Sequence, residues 1–220
     1  MDLAALRLSL ELATLTTLLL LVLGLPLAWW LTATRWRGKV LVEAVVALPL
    51  VLPPTVLGFY LLVLLGPRSP VGSAWIALTG RPLAFSFGGL LVASVIYGLP
   101  FAVQPFAASL AAVDPRLVEA AWSLGASRLR TFLRVSVPLA APGILAGAVL
   151  TFAHALGEFG VVLMVGGNVA GETRTLSISI FDAVEQLDYA RAGTTSLFLL
   201  ATSFTVLVVT YALRRRAPSA

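Results

Sequence analysis

The chain has 220 residues, of which 59% are hydrophobic and 11% charged, and its mean hydropathy is +0.99. Water-soluble domains carry about 25% charged residues, so this chain lacks the polar groups to coat a surface of its own size, and lipid must be the solvent for most of it. With no cysteine and one histidine, disulfides, thiolate chemistry and a multi-histidine metal centre within one chain are excluded, and the net charge of +5 is scattered between apolar blocks in a way that suits membrane orientation and not nucleic acid.

A spanning helix needs about 20 apolar residues. Gaps between successive charged residues supply five of them, at 12–34, 44–67, 82–113, 135–157 and 192–213, which place spans at about 10–34, 42–66, 86–112, 138–165 and 191–213 within a single membrane domain covering 1–220. The expected class is therefore an all-α integral membrane protein with about five transmembrane helices. The first stretch is too long for the core of a secretory signal. It is preceded by Arg7 against Asp2 and Glu11 and followed by Arg35, Arg37 and Lys39, so it reads as a retained anchor.

The second stretch holds Pro49, Pro53 and Pro54, and the third holds Pro100 and Pro105. Each proline removes a backbone donor that lipid cannot replace, which predicts that Leu48 to Leu57 and the Pro100/Pro105 region face a bundle interior or a cavity. The segment between Arg68 and Arg81 is too short to cross and is expected to lie at the interface or to re-enter. Thr55, Ser94 and Thr151 are candidate hydroxyls for a polar path.

Residues 114–137 form the loop after the third stretch. Asp114 suits an N-cap, Pro115 the first helical position and Gly125 a left-handed closing residue, which predicts a helix over Pro115 to Leu124 with Leu117, Ala121 and Leu124 on one face. Ser127 is positioned to start a second helix carrying Arg128, Arg130 and Arg134 and ending near Pro138, where the fourth stretch begins.

In that fourth stretch Gly143 and Gly147 have the spacing that lets two helix backbones approach, either inside the bundle or between two copies. His154 and Glu158, four residues apart, share a face. Two ligands do not make a metal site, and the readings that remain are a proton relay or a carboxylate hydrogen-bonded in the bundle or lining the outer mouth of a wet cavity.

Five spans put the termini on opposite sides. Arg35, Arg37, Lys39, Arg116, Arg128, Arg130, Arg134, Arg214, Arg215 and Arg216 collect on one side and Arg7, Arg68, Arg81, Arg174 and Arg191 on the other, which predicts a cytoplasmic C-terminus and an outer N-terminus. The chain has no phosphate-binding loop, since Gly38-Lys39 is followed by Val40, so any ATP-driven work must come from another subunit. No cofactor is expected.

Glu119-Ala120-Ala121, Gly125 and Val135-Ser136-Val137-Pro138, at their observed separations, resemble the EAA loop of ATP-binding-cassette importer permeases, with Val in place of the family's Ile and Leu. The resemblance implies that Glu119, Ala120, Ala121, Leu124, Gly125 and Pro138 belong to a coupling helix and loop that dock on a cytoplasmic ATPase subunit. Residues 48–58, 157–168 and 171–175 resemble the permease subunit of molybdate importers, except that Val169-Ala170 stands where Ile-Pro is expected. That likeness implies a type I importer fold, a pair of permease copies forming the path, an external oxyanion-binding protein, and a plasma (inner) membrane location. Tungstate and sulfate permeases share most of these features. Pro53, Pro54, Thr55, His154 and Glu158 are the candidates for an outer gate or path. A proton-coupled secondary transporter, which would normally show repeated spans, and an intramembrane enzyme, for which His154 and Glu158 lack a partner serine, are the readings from other classes.

Overall fold

The computed structural model describes residues 2–216, with side chains as far as residue 208, and contains no strand among the described residues. Helix α1 (Leu3–Ala33) starts at Asp2, whose carboxylate accepts from the Ala5 N–H at 3.0 Å. It is followed by α2 (Lys39–Val51), α3 (Pro54–Leu65), the short α4 (Pro70–Thr79) and the long α5 (Phe87–Ala111). Then come α6 (Pro115–Ser123), α7 (Arg128–Thr131), a π-helical turn over Phe132–Ser136, and α8 (Val137–Gly157). The chain finishes with α9 (Gly160–Gly166), α10 (Leu176–Glu185) and α11 (Tyr189–Arg216).

Four helices are long and apolar enough to cross a membrane alone, at Leu3–Ala33, Phe87–Ala111, Arg128–Gly157 and Tyr189–Val208, and the bent pair α2 and α3 makes a fifth passage if taken as one span.

Packing sets the directions of these helices. Gly24 of α1 lies against Val103 and Phe106 of α5, and Gly98 of α5 lies against Thr16 and Leu20 of α1, so the two run parallel. Gly147 and Gly143 of α8 meet Phe106 and Ser109 of α5, so α8 runs antiparallel to both. Parallel α1 and α5 require residues 34–86 to carry the chain back across the bundle. Consequently the α1–α2 turn, the end of α5, α6, α7 and the start of α8 share one end, where Arg35, Lys39 and Arg128 line one cavity. At the opposite end Leu8, Leu12, Leu90, Val162 and Ile178 form an apolar cluster, and the Ser9 hydroxyl accepts from the Leu176 N–H at 2.8 Å. The side chains of Arg214, Arg215 and Arg216, counted above for orientation, lie outside the described residues.

Several expectations need correction. The stretch at 42–66 is not one helix: α2 and α3 meet at 113°. Pro53 holds Leu52 in an extended conformation (ψ 136°), and Pro54 then starts α3 at its first turn, where a missing N–H costs nothing. The stretch at 138–165 also breaks, without a proline, at Glu158 (ψ 133°). The helix from Ser127 does not end near Pro138 but runs straight into α8 through the π turn. Pro138 cannot donate to the Arg134 carbonyl, and the Val137 N–H instead reaches back five residues to the Phe132 carbonyl. Finally, within this one chain the Leu48 to Leu57 stretch is only partly interior. Val51 is 80% exposed and Pro53, Pro54 and Thr55 are exposed, although Pro49 is buried and Gly160 packs on the Pro54 ring, whereas Pro100 is buried as expected.

The Gly143/Gly147 pair serves the bundle itself. A Cβ on Gly147 would come within 2.8 Å of the Phe106 ring, and one on Gly143 would land on the Ser109 side chain.

Candidate functional site

At the basic end, α6 is built by local signals. The Asp114 carboxylate accepts from the Arg116 N–H at 2.9 Å, and Pro115 fills the first turn. The helix closes with the Leu124 N–H bonded to the Ala120 carbonyl, the Ala126 N–H bonded to the Ala121 carbonyl at 3.0 Å, and Gly125 at φ +82°. This reach over five residues with a left-handed glycine is the geometry that satisfies orphan carbonyls at a helix end. Ser127 then caps the next turn by accepting from the Arg130 N–H.

No residue of α6 is buried. Glu119, Ala120 and Gly125 are exposed, and Leu124 is 89% exposed, so apolar and small side chains share the free surface with Arg116 and the Glu119 carboxylate. Ala121 differs from its expected place on that surface: together with Val118 it is only partly exposed, on a helix that packs against α7 and the π turn. Pro138 is the second residue of α8, separated from α6 by α7 and the π turn. The turn is anchored by Phe132, which is buried and stacked on Trp29 of α1 with centroids 4.5 Å apart.

Towards the other end, the two broken stretches meet at their breaks. Gly160 opens α9 so close to Pro54 that a Cβ would lie 2.7 Å from the proline ring, and Gly58 lies against Val161 and Met164. Helices α3 and α9 therefore run side by side in the same direction. Glu158 occupies the break, 6% exposed, with its carboxylate accepting from the Val161 N–H at 3.0 Å. His154 stacks on Phe101 with centroids 3.7 Å apart and lies 5.0 Å from the Tyr97 ring. Its Nε2 is 3.6 Å from Glu158 Oε2 and has no hydrogen-bond partner. No group of three His, Cys, Asp or Glu side chains able to hold a metal ion occurs among the described residues.

The structure thus brings Pro54, His154 and Glu158 to one junction, with Pro53 and Thr55 exposed beside it. It does not bring Ser94 or Thr151 to any open surface. Thr151 is 1% exposed and donates to the Gly147 carbonyl, and Ser94 is packed inside the bundle. Sequence reasoning passed over Gln104, which lines the cavity at the basic end together with Trp29, Arg35, Lys39, Trp122 and Arg128. Its signal was available: Gln104 is the one carboxamide within any of the five apolar stretches.

The profile of the family described as the binding-protein-dependent transport system inner membrane component matches residues 20–217. The chain is 55% identical over 214 residues, 97% of its length and 95% of the relative's, to the molybdenum transport system permease protein ModB of Azotobacter vinelandii. It is 35% identical over 186 residues, 84% of its length and 67% of the relative's, to the sulfate transport system permease protein CysT of Escherichia coli K12. Its fold matches a chain in the crystal structure of a bacterial ABC transporter involved in import of the acidic polysaccharide alginate, with a TM-score of 0.80 at 17% identity, covering 99% of this chain and 80% of the other.

Proposed function

The chain belongs to the family of binding-protein-dependent transport system inner membrane components, and from that premise we propose that it is the permease subunit of an ATP-driven importer of molybdate. The observation that carries the cargo is the 55% identity, over nearly the whole of both chains, to a molybdenum transport permease. In this reading the chain is not itself an enzyme. Two copies form the path in the inner membrane, with the N-terminus outside and the C-terminus in the cytoplasm. An external binding protein delivers the anion, and a cytoplasmic ATPase subunit docks on α6.

The geometry supports the coupling part of that division. A helix with no buried residue and with a capped, rigid end is a handle for another protein: its Leu124 and Ala120 fill a groove, and closure of the ATPase moves it as a body. That motion enters α8 through the π turn and reaches the junction of α3 and α9, where Pro53, Pro54, Thr55, His154 and Glu158 form the outer gate. Two short half-helices meeting at their breaks can shift against each other without unfolding a long span. The anion is chosen by the binding protein, because a passage must release its cargo whereas a receptor site can match each acceptor oxygen.

A second reading, sulfate as cargo, is favoured by the 35% identity to a sulfate permease. The test is uptake of labelled molybdate by cells that depend on this permease, in the presence of excess sulfate. Undiminished molybdate uptake supports the assignment, and abolished molybdate uptake together with uptake of labelled sulfate by the same cells moves it to sulfate.

A further inference from the structure

Gln104 lies seven residues before the end of the 25-residue helix α5, about 10 Å from its basic end at 1.5 Å per residue and within the apolar stretch. Its side chain is exposed in this chain and makes no hydrogen bond to any described residue. A carboxamide facing hydrocarbon without a partner costs several kcal/mol, so such a residue faces water or protein. Here it faces a cavity of about 1370 Å³.

The walls of the cavity are graded. On α5, Ala107, Ala108 and Ala111 continue the face of Gln104 towards the basic end, leaving room where larger side chains would fill it. At the mouth stand Arg35, Lys39 and Arg128. Lys39 is occupied, donating to the Leu31 carbonyl at 3.3 Å and lying 3.9 Å from Glu43, whereas the guanidinium groups of Arg35 and Arg128 have no acceptor among the described residues. Glu43 and Glu119 also line the mouth, so the cations exceed the carboxylates by one and the site is a weak attractor for an anion.

We propose that the cytoplasmic half of the anion path runs through this cavity and that the Gln104 amide is a substrate contact within it, donating N–H to an oxyanion before Arg35 and Arg128 draw the anion out. The proposal rests on the reading of the chain as an oxyanion permease. A neutral amide suits the task. It offers two donors to an anion, its own carbonyl keeps the interaction weak, and weak interaction permits release.

The absence of cysteine from the chain makes a direct test available. In the complete transporter, Gln104→Cys is treated from the cytoplasmic face with a membrane-impermeant cationic thiosulfonate, beside Leu200→Cys on an apolar surface as a control. The expected result is modification at Gln104→Cys, slowed several-fold by millimolar molybdate, and none at Leu200→Cys. Absence of modification at Gln104→Cys, or modification unaffected by molybdate, overturns the proposal.

In the uptake assay, Gln104→Glu, equal in shape but anionic, should lower molybdate uptake tenfold or more while ATP hydrolysis stimulated by the loaded binding protein persists, and Gln104→Asn should stay within a few-fold of wild type. Wild-type uptake by Gln104→Glu overturns the contact alone. A wild-type transporter that moves no oxyanion overturns the underlying reading. If Gln104→Glu does not assemble, the thiol measurement decides.

Discussion

Gly125 closes α6 at φ +82°, and a Cβ built there meets nothing within 4 Å. Substitution at this residue is therefore a test of backbone conformation free of steric conflict with neighbours. A left-handed conformation costs an L-residue about 1–2 kcal/mol, more for a β-branched side chain and less for asparagine. Because α6 buries no residue, packing cannot offset that cost. A penalty of this size shifts the balance between the closed and the frayed helix end by a factor of about 5–30. Uptake per ATP hydrolysed should fall in the order Gly, Asn, Ala, Val, with Gly125→Val lowest and Gly125→Asn near wild type, while the amount of permease in the membrane is unchanged. The assay measures transport and ATP hydrolysis on the same reconstituted sample. Equal coupling in Gly125→Val and Gly125→Asn would refute the reasoning, since the closed end of α6 would then be irrelevant to docking.

Other consequences follow from the same geometry. Ala120→Trp, on the exposed side of α6, should weaken co-purification of the ATPase more than Ala121→Trp, at a residue only partly exposed; the reverse order would misplace the docking face. Glu158→Leu leaves the Val161 N–H without its acceptor and should lower the unfolding temperature of the solubilised permease by the equivalent of about 0.5–2 kcal/mol, whereas Glu158→Gln should largely retain it. Gly147→Leu overfills the contact with Phe106 and should destabilise the single chain by about 1–3 kcal/mol without first dissociating a dimer, as read by thermal unfolding against light scattering. Reporters fused after Lys39 or within 125–134 should report cytoplasm and those within 68–81 or 171–188 the outside; a cytoplasmic signal from 171–188 would reverse the orientation.

The parts of the fold that local chemistry determines are legible in the residues alone. Asp114, Pro115, Gly125 and Ser127 each act on backbone groups within a few residues, so the limits of α6 and the start of α7 follow from residue type and spacing. The breaks are harder to read. Pro53 and Pro54 announce an interruption but not a 113° bend, which depends on how α3 lies along α9. The break at Glu158 carries no proline and arises because a buried carboxylate caps a new helix instead of continuing the old one.

At Pro138 the sequence pattern suggests an end, yet the chain continues, since a π turn absorbs the missing donor at the cost of one extra residue per turn. Polar path residues are misjudged for the same reason of context. Thr151 satisfies itself on the preceding turn of its own helix and can be buried, whereas an amide as long as that of Gln104 cannot reach its own backbone in the same way and needs an external partner. The resemblance carried by residues 119–138 points to the family that comparison with known proteins establishes.

In the proposed transport cycle this chain, driven through α6 by a separate ATPase, passes molybdate delivered by an external binding protein. Proteoliposomes containing the permease and its ATPase, with ATP on the side of α6 and loaded binding protein on the other, measure it directly by accumulation of labelled molybdate. Accumulation is expected to require ATP and the binding protein together and to be lost in Gly125→Val. Accumulation that proceeds without ATP in response to a proton gradient, or ATP hydrolysis stimulated by the loaded binding protein with no molybdate crossing, would contradict it.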